Sequence, residues 1–110
     1  MKEEMLAYIN ARIDEHKQEQ QRLRSADRAD EAAHQQIIIN VYGIFPAVYQ
    51  ATRYDLTAAL MRFRSIITPW EESRRTSLAH NDSAKAFIEE IKLKAAADLI
   101  HYAEGLEGRA

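Results

Sequence analysis

Between residues 3 and 24, Met5, Ile9, Ile13, His16, Gln20 and Leu23 recur at spacings of four and three. That period places them on one stripe of an α-helix. The residues between them are Lys, Glu, Asp, Gln and Arg, which make the opposite face a solvated one. The stripe turns polar at His16 and Gln20, so the C-terminal half of this first helix is expected to bury less apolar surface. Ser25 and Asp27 are cap-type residues, and Asp30 and Glu31 behind them suit the positive end of a helix dipole. A second helix is predicted from here. Ala33, Ile37, Val41, Ile44, Phe45 and Val48 mark its inner face, and Ile38, Ile39, Tyr42 and Tyr49 widen the apolar arc beyond one seam. Pro46 lacks an N–H and crowds the carbonyl of residue 42, at about 3 kcal/mol in a straight helix. Apolar residues on both sides of it keep helical phase, so a kink is expected rather than a break, with the helix reaching about residue 51.

Asp55 is placed to cap a third helix with Leu56, Leu60, Phe63 and Ile67 as its seam and Ala59 and Ile66 beside it. The same phase also allows one helix to run on from Tyr49, which makes 52–55 the open boundary. Thr68-Pro69-Trp70-Glu71 reads as a capping box: Thr68 at the N-cap, Pro69 at the first helical position and Glu71 at the third. It predicts a short fourth helix from Pro69 to about His80, ended by Asn81-Asp82, which also caps the next helix. Ala84, Ile88, Ile91, Ala95, Leu99 and Tyr102 form the stripe of a fifth, over 83–104, with Phe87 widening it and Glu90 and Lys94 paired four apart outside. Residues 105–110 are expected to fray. The fold class is all-α: a single domain over 1–110, a bundle of four to five amphipathic helices.

Composition agrees with this pattern. Only three Gly and two Pro occur, too few turn residues for strands and hairpins. The chain has no Cys, which excludes disulfides, thiolate zinc sites and Cys nucleophiles. Its net charge of -2, with both signs interspersed, lacks the basic excess of nucleic-acid modules. Apolar runs such as Ile37-Ile38-Ile39 are too short to span a membrane. The N-terminus carries Glu3 and Glu4 where a signal peptide carries cations, so a cytoplasmic protein is expected.

Two stretches carry a resemblance. Ile39-Asn40-Val41-Tyr42-Gly43-Ile44-Phe45, and the later pattern Pro69-Trp70, Ala79-His80-Asn81-Asp82 and Ile88-Glu89-Glu90-Ile91-Lys92-Leu93, look like a group of short bacterial helical proteins with no assigned function. The likeness spans roughly residues 26–94. It implies an all-helical fold and no chemistry, and no site residue carries over.

Candidate chemistry is sparse. Glu31-x-x-His34 has the spacing of di-iron bundles, and Asp98-x-x-His101 repeats it with the shorter acid. With a turn near Ser25, His16 and His34 would face each other. Glu31, His34, His16 and His101 are therefore the candidate ligands for iron, zinc or manganese, and this metal-binding bundle is the alternative function. Adjacent acids such as Asp14-Glu15 and Glu89-Glu90 point about 100° apart and do not pair for acid–base work. Arg22, Arg24 and Arg28, and the group from Arg53 to Arg75, have acids nearby that compensate them. Neither catalytic residues nor a small-molecule ligand can be named, and no cofactor is expected under the main reading. That reading is a homo-oligomeric interaction or structural module. The second helix carries more apolar surface than so small a bundle covers easily, so Ile38, Tyr42, Phe45 and Tyr49 are expected at a homodimer interface.

Overall fold

A computed structural model describes residues 1–109 and shows four α-helices: α1 (Lys2–Ser25), α2 (Ala29–Ala51), α3 (Leu56–Ala79) and α4 (Ser83–Arg109). The described residues contain no strand. The three turns between the helices share one construction. Asp27 (φ 58), Arg53 (φ 56) and Asn81 (φ 60) each take the left-handed conformation. The N–H that follows each then reaches back over the helix end: Arg28 to the Leu23 carbonyl at 2.9 Å, Tyr54 to Tyr49 at 2.8 Å and Asp82 to Ser77 at 2.8 Å. This is the Schellman closure, which satisfies carbonyls the helix end leaves open. It normally takes glycine. Asp and Asn accept the geometry because their short side chains bond locally, whereas Arg53 and Tyr54 (φ 61) each carry a steric cost of roughly 1–2 kcal/mol.

Two expected caps form. The Asp55 and Asp82 side chains accept hydrogen bonds from the N–H groups of Ala58 and Lys85, each at 3.1 Å. Thr52–Asp55 is therefore a true break between α2 and α3. Asp27 does not cap α2: it terminates α1, and Arg28 occupies the N-cap position without a side-chain cap.

Both prolines lie inside helices. α2 runs through Pro46 unbroken, and α3 runs through Pro69. The short helix expected from the capping box is thus the second half of α3, and the bundle has four helices. Thr68 is exposed in mid-helix, and its hydroxyl donates to the Arg64 carbonyl at 3.1 Å. Packing outweighs the local signal here, because Phe63, Ile67, Trp70, Arg74 and Ser77 continue a single stripe at spacings of four and three. Ser77 is buried. The Arg74 Nε meets Glu90 Oε1 of α4 at 3.0 Å, and the Lys92 ammonium lies 4.7 Å from the Trp70 ring centre.

The core draws on all four helices. Its largest fully buried side chains are Met5, Ile9, Tyr42, Phe45, Tyr49, Leu60, Phe63 and Leu99. Phe63 meets Phe45 edge to face at 5.3 Å, and Tyr49 meets Tyr54 likewise at 5.1 Å. The inner face of α2 is rotated from the expected one. Tyr42, Phe45 and Tyr49 point inward with Val41, while Ala33 is exposed and Ile37, Ile44 and Val48 are half-buried. Large aromatic rings fill the centre of the bundle better than the smaller β-branched side chains beside them. At the other end, α4 stays helical past Gly105 instead of fraying. Leu106 is 3% exposed, and Thr57 donates a hydrogen bond to Glu107. Residue 110 lies outside the described residues. Among those described, no helix is long and apolar enough to cross a membrane.

Candidate functional site

The first half of α1 is clasped to α4. Tyr8 stacks flat on Tyr102, with ring centres 3.7 Å apart and planes 5° from parallel. The Tyr8 hydroxyl donates to Asp98, 2.9 and 2.8 Å from its two carboxylate oxygens. Tyr42 of α2 is a second hydroxyl donor, to Asp98 Oδ2. The Arg12 Nε lies 3.4 Å from that same oxygen and 3.4 Å from the Tyr42 hydroxyl. One carboxylate of α4 therefore ties α1 and α2 together. Burial pushes the Tyr8 pKa up to about 12, helped by the hydrogen bond to Asp98 and its negative charge. Tyr42 is pushed up for the same reasons, burial first. Both hydroxyls keep their protons and remain donors to Asp98 at neutral pH.

Beyond Arg12, α1 bonds to α2. The His16 ring nitrogen Nδ1 lies 2.7 Å from Gln35 Oε1. The buried Gln20 amide donates to the Ala32 carbonyl at 3.2 Å and to Gln36 Oε1 at 3.0 Å. The polar turn of the α1 stripe is thus a side-chain ladder between the first two helices. It leaves a groove of ≈ 670 Å³ between α1, α2 and α4, within the size range of small-molecule sites. Arg12 and His16 line it from α1, and His34, Gln35, Ile38 and Tyr42 from α2. On α4 the lining runs from Phe87 through Glu90, Ile91, Lys94 and Ala95 to Asp98. The Phe87 side chain, 49% exposed, meets the His34 ring edge-on at 5.3 Å.

The charges in this groove are sorted. Asp98 has Arg12, and Glu90 has Arg74 of α3. The expected Glu90–Lys94 pair does not form, and Lys94 has no acidic partner within 4 Å among the described residues.

The sequence-derived metal candidates do not assemble. His16 and His34 share the groove as expected from the turn. Glu31, however, is exposed and pairs with Arg28 beside the α1–α2 turn, and His101 is exposed outside the groove. Asp98, the acid of the second pair, is held by two tyrosines and an arginine. Among the described residues no group of three or more His, Asp or Glu is placed to hold a metal ion. The interface candidates are redistributed too. Tyr42, Phe45 and Tyr49 are 1%, 0% and 1% exposed within the single chain, so they offer no surface to a second copy. Ile38 is half-buried and lines the groove. Much of the arginine surface is paired in place, as in Arg22–Glu19, Arg64–Glu104 and Arg74–Glu90, which weakens any phosphate-binding role.

Sequence reasoning missed Tyr8 and Arg12, and it read Asp98 only as half of a metal motif. The available signal was the row Tyr8, Arg12, Glu15 at helical spacing beside the α1 seam. Nothing along the chain tied that row to Asp98, ninety residues away. No protein-family model matches the chain, and no curated protein and no solved structure matches it.

Proposed function

We propose that the protein is a helical interaction module that binds its target in the groove between α1, α2 and α4. The observation that carries this reading is the one-ended clasp. Tyr8, Arg12 and Tyr42 fix Asp98 at one end of the groove, and the space beyond stays open with Phe87 half exposed on its wall. Covering a half-exposed phenyl ring is worth about 1 kcal/mol, since burying the whole ring gives about 1.5–3 kcal/mol. The polar clasp needs no such cover. The test is an amide NMR titration with a panel of small apolar molecules. The expected result is that shifts concentrate on Ile38, Phe87, Ile91 and Ala95. Shifts that scatter over the surface, or none at all, overturn the reading.

A second reading is self-association through the outer face of α2. Gly43, Ala47 and Ala51 are exposed there at spacings of four. A Cβ at Gly43 would meet nothing within 4 Å, so the chain's own packing does not require glycine. A glycine in mid-helix costs about 1 kcal/mol against alanine, and close approach of another backbone would account for it. Light scattering at micromolar concentration is then expected to give twice the chain mass, with Ala47→Glu returning it to the monomer. A monomer throughout the concentration range removes this reading.

A further inference from the structure

We infer that the groove takes a small amphiphilic monoanion, a carboxylate with an apolar chain or ring of roughly eight to twelve carbons, sized to a site of this volume. The inference rests on the groove being the binding site and adds the chemistry of the ligand. Two carboxylates line the groove, and each already has its cation: Arg12 for Asp98 and Arg74 for Glu90. The oxygens of Asp98 are further occupied by the hydroxyl protons of Tyr8 and Tyr42. A cationic ligand would meet Asp98 already bonded on both oxygens and Glu90 already neutralised by Arg74, with only the Glu90 Oε2 left to accept from it.

An anionic ligand has a donor waiting. Lys94 stands one helical turn from both acids and is paired with neither. Its ammonium is a strongly hydrated point charge that accepts a carboxylate in any of several geometries. Beside it, Ile38, Phe87, Ile91 and Ala95 present hydrocarbon, against which a chain or ring gains in proportion to the area removed from water. The groove also has an end. From Phe87 to the clasp at Asp98 it follows about 17 Å of helix axis. That length suits a small molecule, and it is short for a docked helix, since a stable protein interface buries on the order of 800 Å² per partner.

The test is calorimetry on the full chain at pH 7.5 with three ligands of one chain length: sodium octanoate, 1-octanol and octylammonium chloride. Octanoate is expected to bind once per chain and at least tenfold more tightly than the other two. Lys94→Met is expected to weaken octanoate about tenfold and leave octanol unchanged, while Lys94→Arg retains octanoate binding. Phe87→Ala is expected to weaken both octanoate and octanol. Circular dichroism of each variant should match the parent, since both positions are exposed. Octanol binding as tightly as octanoate, or Lys94→Met leaving octanoate unaffected, overturns the anionic preference while the groove reading stands. The absence of saturable heat from all three ligands, alongside groove shifts from other apolar probes, has the same meaning. The absence of groove shifts with every probe overturns both.

Discussion

Replacing Asp98 with alanine tests whether one carboxylate holds the clasp. The substitution removes the acceptor for the Tyr8 and Tyr42 hydroxyls and the partner of the Arg12 guanidinium. A hydrogen bond to a charged group contributes about 1.5–3 kcal/mol. The Asp98 and Arg12 side chains are 37% and 31% exposed, so water replaces part of what is lost, and the low end applies to each bond. Two bonds at that end give about 3 kcal/mol. Alanine returns about 0.5 kcal/mol through its higher helix propensity. The net loss is therefore about 2–2.5 kcal/mol. For a chain of this length 1 kcal/mol corresponds to about 4 °C, so the melting midpoint should fall by about 10 °C. Thermal melting followed by circular dichroism at pH 7 measures this, with His101→Ala on the same helix as a surface control expected to change little. A double-mutant cycle adds a sharper demand: once Asp98 is alanine, Tyr42→Phe should cost much less than it does in the parent. A drop under 2 °C, or a Tyr42→Phe cost that is the same in both backgrounds, would refute the clasp.

The remaining predictions are smaller. Thr68→Ala should leave the midpoint unchanged or raise it slightly, because Thr68 is an exposed mid-helix residue bonded back to Arg64 and such back-bonding slightly destabilises a helix; a fall of about 1 kcal/mol would restore the N-cap assignment. Gly43→Ala should stabilise the monomer by about 1 kcal/mol, read as a higher urea midpoint, since the added methyl meets nothing and helix propensity improves. At alkaline pH the tyrosine pair should show itself. The folded state raises the Tyr8 pKa from 10.0 to about 12 and pushes Tyr42 the same way, so their stabilisation is complete below pH 10 and is lost as pH rises toward 12. The stability gap between the parent and Tyr8→Phe, measured by urea unfolding, should narrow over that window; a constant gap would count against the shift.

Helix positions followed closely from local pattern. The seam of α1 and that of the first half of α3 were legible because Met5, Ile9 and Leu23, and Leu56, Leu60 and Phe63, repeat at the helical period and are buried as that period requires. Asp55 and Asp82 were legible as caps because capping is local chemistry between a side chain and an N–H three residues on. The same locality misled at Thr68-Pro69-Trp70-Glu71. A capping box and a continuous helix differ there only in whether Trp70, Arg74 and Ser77 find α4, and that is a tertiary matter.

The helical class and the capping residues Asp55 and Asp82 could be read from residues within a few positions of one another, because periodicity and capping act over that range, whereas the choice between a break and a continuous helix at 52–55 could not. Which face of α2 turns inward could not, since its apolar residues point in nearly every direction and only the shape of the surrounding core selects Tyr42, Phe45 and Tyr49. Nor could the groove. It exists because Asp98 draws α1 to α4 at one end while Gln20 and His16 bind the rest of α1 to α2. The Asp98 contact joins the first helix to the last, the others cross between neighbouring helices, and the geometry of all of them is set only when the helices pack.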